Sequence, residues 1–180
     1  MKTILVDIDN TLWDFGSALY QKIISNGYTV PPPAFWNWRF YTGVISQSEF
    51  LRLVHEVHLM QEEFKPFCDA VDFLHCIKLN RFHIVIASNR KADTYSATKS
   101  WLLANHLVFD DLLISDDKRS SINSNIDVVV DDSPSVIAYS YRKHIRTTGL
   151  CYNWNRNFKR IVPLWDNLRQ CGNHILSRSM

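Results

Sequence analysis

Short aliphatic runs without polar alternation constrain this chain most: Ile4-Leu5-Val6, Ile84-Val85-Ile86 and Val128-Val129-Val130. A strand with one face in water alternates apolar and polar residues with period two, so runs lacking that alternation belong to strands buried on both faces. Strand-like stretches at Ile4–Val6, His83–Ala87, Leu112–Ile114 and Asp127–Val130 are separated by segments of helical periodicity. Repeated strand–helix alternation predicts an α/β fold, a parallel sheet flanked by helices. In open parallel sheets ligands sit beyond the carboxyl ends of the strands. The residues following each run therefore matter as much as the run.

Several helices announce their starts. Ser46-Gln47-Ser48-Glu49 reads as a capping box ahead of Phe50, Leu53, Val54 and Val57. Pro66 can open a helix carrying Ala70, Phe73, Leu74 and Ile77 on one face. Asp93 or Thr94 can cap one carrying Thr98, Trp101 and Leu102, and Pro134 can open another through Tyr141. Residues 15–65 break the alternation: they contain Pro31-Pro32-Pro33 and the aromatics Phe35, Trp36, Trp38, Phe40 and Tyr41. They predict a small helical insertion after the first strand, leaving residues 1–14 and 66–180 as the core.

At 180 residues and 46% apolar composition the chain is one domain of ordinary size with enough material for a full core. A formal net charge of +2 gives no general push toward nucleic acid or membrane. The C-terminal third is basic, with Arg142, Lys143, His144, Arg146, Arg156, Lys159 and Arg160. That suits an anionic substrate or simply a solvated face. Cys68, Cys76, Cys151 and Cys171 form no Cys-x-x-Cys pair and read as thiols in a reducing compartment. With no signal peptide and no apolar stretch of spanning length, the expected location is cytoplasmic, with no membrane partner.

The strand ends carry the chemistry. Ile4–Val6 leads into Asp7 and Asp9, which strand alternation places on one face. Two carboxylates that close repel unless a cation sits between them or one is protonated. His83–Ala87 leads into Ser88-Asn89-Arg90, and Asp127–Val130 into Asp131-Asp132-Ser133-Pro134. Lys118 lies in the loop after Leu112–Ile114. Singly, each has an ordinary reading: a turn serine, a surface lysine, a helix N-cap with a proline start. Together they supply what phosphoryl transfer needs, a carboxylate nucleophile and positive or hydrogen-bonding groups for the phosphoryl oxygens.

This ordered set, Asp-x-Asp, then Ser, then Lys, then an acidic pair, resembles the motifs of the haloacid dehalogenase (HAD) superfamily, mostly Mg-dependent phosphatases. The resemblance implies a Rossmann-like core with a cap inserted after the first strand. It implies Asp7 as nucleophile and Asp9 as general acid/base, with Ser88, Asn89 and Lys118 on the phosphate. Mg²⁺ would be held by Asp7, Asp131 and the backbone carbonyl of Asp9. Asp9 would need to be protonated as substrate arrives, which a raised pKa would favour. A modest cap implies a small phosphorylated substrate rather than a folded protein.

Beyond these motifs the chain resembles the 5'(3')-deoxyribonucleotidase branch. The likeness rests on Trp13-Asp14-Phe15, Thr98-Lys99-Ser100-Trp101-Leu102, and Tyr152-Asn153-Trp154-Asn155 followed by Arg160-Ile161-Val162 and Trp165. It implies a phosphomonoesterase acting on (deoxy)nucleoside monophosphates through an aspartyl-phosphate. The sequence departs from that branch at Asn10-Thr11 and at Ser88-Asn89-Arg90, which is closer to acid phosphatases and polynucleotide 3'-phosphatases. Alternatives are therefore a phosphatase of nucleic-acid 3' ends or of another small metabolite, and a non-catalytic HAD-fold binding module. Phe15, Trp36, Trp38 and Arg90 are candidate substrate contacts. The cap aromatics can stack on a base or build the cap's own core. Arg90 can reach substrate phosphate or pair with an acidic neighbour.

Overall fold

A computed structural model describes residues 1–37 and 39–177. Six strands, β1 (Thr3–Val6), β2 (His83–Asn89), β3 (Asp111–Ser115), β4 (Val128–Val130), β5 (Arg146–Leu150) and β6 (Leu164–Trp165), form one parallel sheet. Its order is β3-β2-β1-β4-β5-β6, so β1 lies between β2 and β4. Among the described residues six α-helices accompany it: α1 (Phe15–Ser25), α2 (Gln47–Leu59), α3 (Ala70–Leu79), α4 (Tyr95–Ala104), α5 (Pro134–Arg142) and α6 (Leu168–Ser177).

Alternation along the buried strands sends residues into two layers. Ile4, Val6, Ile84, Ile86, Val128 and Val130 join one cluster with Leu74 and Ile77 of α3, Trp101 and Leu102 of α4, and Leu168 and Ile175 of α6. Leu5, Ala87 and Val129 point the other way, onto Val136 of α5 and onto Ile122, which lies between β3 and β4. Both faces are covered, as the uninterrupted aliphatic runs require.

Of the expected capping box at α2 the N-cap half forms, Ser46 Oγ accepting from Glu49 N at 3.3 Å, while the Glu49 carboxylate accepts from Arg52 instead of returning to Ser46 N. The start of α3 is a correction: the helix begins at Ala70 after Asp69, not at Pro66. Phe67 N donates instead to Leu12 O at 2.8 Å, which ties this stretch to the end of the first motif. At α4, Thr94 occupies the N-cap position but its hydroxyl donates to Lys91 O. β5 and β6 had no counterpart in the sequence reading. β5 reads Arg-Thr-Thr-Gly-Leu, with buried Thr147 and Thr148 in place of aliphatic residues. Their hydroxyls are satisfied by Ile145 O and Pro163 O.

The inserted segment packs α1 against α2. Its buried Leu19, Ile23, Trp36, Leu53 and Val57 belong to the same cluster as the strands. Trp36 stacks on Phe40 at 3.7 Å, and Tyr41 stacks on Phe50 at 3.7 Å. Trp38 lies outside the described residues. Among the described residues no helix is long and apolar enough to cross a membrane.

Candidate active site

β1 ends at Val6, and Asp7 makes one further strand-like bond, its N–H donating to Val130 O at 2.9 Å. The chain then turns: Leu12 N donates to Ile8 O, and Asn10 sits at φ 56°, in the left-handed region that Asn tolerates. Strand alternation therefore stops before it can govern Asp9. The two carboxylates, expected on one face, enter two different environments.

Asp7 faces Lys118 and the acidic pair after β4. Lys118 Nζ ion-pairs with Asp7 Oδ1 and, at 2.8 Å, with Asp131 Oδ2. Lys118 itself is set by Asn89, whose Oδ1 accepts from Lys118 N at 2.7 Å. Asp131 Oδ1 accepts from Ser133 N, and Asp132 Oδ2 accepts from the Trp154 indole at 2.9 Å. Asn155 Nδ2 donates to Asp132 O and Leu150 O, fastening the loop after β5 to the loop after β4. Gly149 on β5 makes this approach possible, because a Cβ there would lie 2.1 Å from Asp131 O.

All four charged groups of this cluster are buried. Burial pushes the Asp7 carboxyl up to about 7, with Asp131 and Asp9 adding to the rise and Lys118 opposing it. Burial, then Asp7 and Asp131, holds Asp132 well above the ordinary carboxylate range. Lys118 is raised, burial being outweighed by Asp131 and Asp7. Asp7, Asp131 and Asp132 each offer an oxygen, all within 4.8 Å of one another. Three buried carboxylates facing a single ammonium are short of positive charge, and hard oxygen donors suit Mg²⁺. The donor set thus fits that ion, with the Asp132 carboxylate added to the expected ligands; the Asp9 carboxylate stands apart from this set.

Asp9 is the centre of the second environment. Its Oδ1 accepts from Arg90 Nη2 at 2.5 Å and from Trp13 Nε1 at 3.0 Å; its Oδ2 accepts from Ser88 Oγ at 3.0 Å and Arg90 Nε at 3.2 Å. His58 Nε2 of α2 lies 3.2 Å from the same Oδ2. Burial alone would raise the Asp9 carboxyl, but Arg90 and then His58 hold it well below the ordinary range. This is the opposite direction from the raised pKa that a general acid would use: four hydrogen-bond donors, Arg90 Nη2 and Nε, Trp13 Nε1 and Ser88 Oγ, surround the carboxylate. Burial in turn lowers His58.

Of the two readings of Arg90, the structure shows pairing with an acidic neighbour. The guanidinium also donates through Nη1 to Gln61 Oε1 at 2.5 Å and Thr98 Oγ1 at 2.8 Å. Its three nitrogens all donate to groups inside the protein. Ser88, expected on phosphate, gives its hydroxyl to Asp9.

Phe15 and Trp36 line one cavity of about 400 Å³, together with Asn10, Phe40, Tyr41 and Trp154. Tyr152 stacks on Trp154 at 4.5 Å and donates its hydroxyl to Asn10 O, linking the cavity wall to the first motif. Sequence reasoning missed several residues that build the site. Asp132 had a signal, its place in the acidic pair. Trp154 and Asn155 figured only in a branch resemblance. His58, Gln61 and Gly149 had none, because their partners are distant in the chain.

No protein-family model matches the sequence, and no curated protein does. Solved structures do. The chain is similar to the candidate HAD-hydrolase YfnB from Bacillus subtilis, bound to magnesium, at 16% identity and TM-score 0.63, covering 98% of each chain. It is similar to a candidate beta-phosphoglucomutase from Thermotoga maritima at 16% identity and TM-score 0.62, covering 98% of this chain and 99% of that one. It is also similar to a phosphoglycolate phosphatase predicted in Haemophilus somnus at 15% identity and TM-score 0.64, covering 100% of this chain and 98% of that one. The fold is thus that of HAD-superfamily hydrolases, and these neighbours carry no nucleotidase name.

Proposed function

We propose that the protein is a Mg²⁺-dependent phosphomonoesterase acting through an aspartyl-phosphate on Asp7, with nucleoside monophosphates as substrates. The observation that carries this reading is the convergence of Asp7, Lys118, Asp131 and Asp132 at the carboxyl end of a parallel sheet. Mg²⁺, held by the carboxylates of Asp7, Asp131 and Asp132, would supply positive charge that favours ionised Asp7 and offsets charge on the phosphoryl oxygens.

In the first half-reaction a bond forms from an Asp7 oxygen to phosphorus and the ester bond breaks, with a proton passing to the leaving oxygen. In the second, water attacks phosphorus, the Asp7–phosphorus bond breaks, and the water proton passes to a base. Asp9, held ionised, is suited to be that base. To serve as the acid in the first half-reaction, Asp9 must first take up a proton from solvent on an oxygen that Arg90 has released, and then pass it to the leaving oxygen. Lys118 binds the phosphoryl group electrostatically. Residues 15–65 act as the cap over a core of residues 1–14 and 66–180.

The aromatic cavity beside Asn10 supports a planar leaving group, since stacking on aromatic rings contributes about 1–3 kcal/mol per base. The names of the structural neighbours favour a second reading, a sugar phosphate or another small phosphorylated metabolite. Phosphate release from nucleoside 5'- and 3'-monophosphates, sugar phosphates, phosphoglycolate and a 3'-phosphorylated oligonucleotide, each with Mg²⁺ and with EDTA, separates them. Mg-dependent release confined to the nucleoside monophosphates is expected. Release confined to another class would remove the nucleotide assignment, and no release from any would remove the phosphatase reading.

A further inference from the structure

A groove of about 610 Å³, lined by Tyr141, Arg142, His144, Arg146, Ile161 and His174 among others, lies away from the acidic cluster. It belongs to the opposite end of β5: Arg146 pairs with Val128 at the amino end, whereas Asp131 N reaches Thr148 O beyond the carboxyl end of β4. None of its lining residues is acidic.

The charge here is concentrated by both sequence and fold. Residues 133–165 contain six Lys or Arg, one His and no Asp or Glu, while the whole chain is only +2, so the rest of the chain is net acidic. Two basic runs, 142–146 and 156–160, are brought to one place because Val162 packs with Leu164 against Ile137 of α5. That packing seats Ile161 and Val162 in the groove directly after Arg160. Arg142 lines it, and Lys143, Arg156, Lys159 and Arg160, on the same two runs, are exposed. Arg146 is a wall, its Nη2 donating to His174 O at 2.6 Å. Tyr141 and Ile161 stand at 49% and 47% exposure.

A single phosphate neutralises one or two charges; five exposed cations on two converging runs suit a chain of phosphates. An exposed aromatic ring beside such a track is what bases of a single strand stack upon. A lipid surface is engaged by protruding apolar faces, and this patch is concave. We infer that this groove binds a single-stranded nucleic acid through its phosphate backbone, independently of the acidic cluster.

The test is fluorescence anisotropy of a labelled, unphosphorylated oligothymidylate of about 20 nucleotides, titrated with the protein between about 50 and 200 mM NaCl. Expected is binding whose log affinity falls linearly with log salt at a slope of about −2 to −3, as for three to four neutralised phosphates on a single strand. Arg142→Ser/Lys159→Ser/Arg160→Ser, with melting temperature as the check on folding, should weaken binding by about tenfold or more and flatten the slope by about 2. Arg142→Ser alone should weaken it by about two- to threefold, which serves if the triple variant folds poorly. Asp7→Asn should bind as the parent does. Absence of binding at low salt, binding indifferent to these serine variants, or loss of binding in Asp7→Asn overturns the inference. So does variant-sensitive binding to phosphatidylserine vesicles without binding to the oligonucleotide.

Discussion

Asp7 and Asp9 are two residues apart and electrostatically opposite. Burial raises Asp7 from 3.8 to about 7, whereas Arg90 and His58 overcome burial to keep Asp9 low. A raised folded-state pKa means that the folded protein binds this proton more tightly than the unfolded chain does. The stability Asp7 contributes is therefore full below about pH 4 and lost as pH rises through about 7. In EDTA, denaturant unfolding should show a decline on the order of 2–4 kcal/mol across that range, to which Asp132, also raised by burial, contributes, and Asp7→Asn should flatten the part due to Asp7. The same variant should lose turnover while remaining folded, by circular dichroism. Arg90→Gln removes the main cation holding Asp9 down, so the acidic limb of kcat/KM against pH should move to higher pH. An unmoved limb would show that Asp9 is not the base. Pairing of Arg90 with an acidic neighbour was legible, but not that the acid is Asp9, 81 residues away, or that Gln61, 29 residues away, completes the clamp.

At the scale of elements, legibility followed side-chain chemistry. β1, β2 and β4 show as aliphatic runs, and the residues after them land at the strand ends where ligands collect. β5 does not show, because two of its buried positions are threonines rather than aliphatic residues, Thr147 satisfied locally by Ile145 O and Thr148 by Pro163 O. Yet β5 sets the geometry of the acidic pair. Gly149→Ala would drive a methyl group into Asp131 O, against backbone rather than a flexible side chain. The expected cost is about 1–3 kcal/mol of stability, read from unfolding midpoints. Mg²⁺ binding, measured by calorimetry on the folded fraction, should weaken with it.

Over the whole molecule, one apolar cluster runs from the sheet into the inserted helices, joining Ile4 and Ile84 to Leu19 and Leu53. The insertion and the core should therefore melt in a single transition. Leu53→Ala, in the insertion, should lower that transition by about 2–5 kcal/mol rather than produce a separate early one, as scanning calorimetry can show. Parallel order and helical coverage were legible because they follow from local runs. The shared core was not, since it depends on which faces of α1 and α2 turn inward. Gly149 shows what such packing means for reading function from mutational tolerance. A saturation scan scored on activity would rank position 149 with Asp7 and Asp131, although glycine brings no functional group. It is intolerant because it is the clearance through which the Asp131 backbone passes. Scoring protein abundance in the same library would separate them, with Asp7 variants abundant and inactive and position-149 variants depleted on both counts.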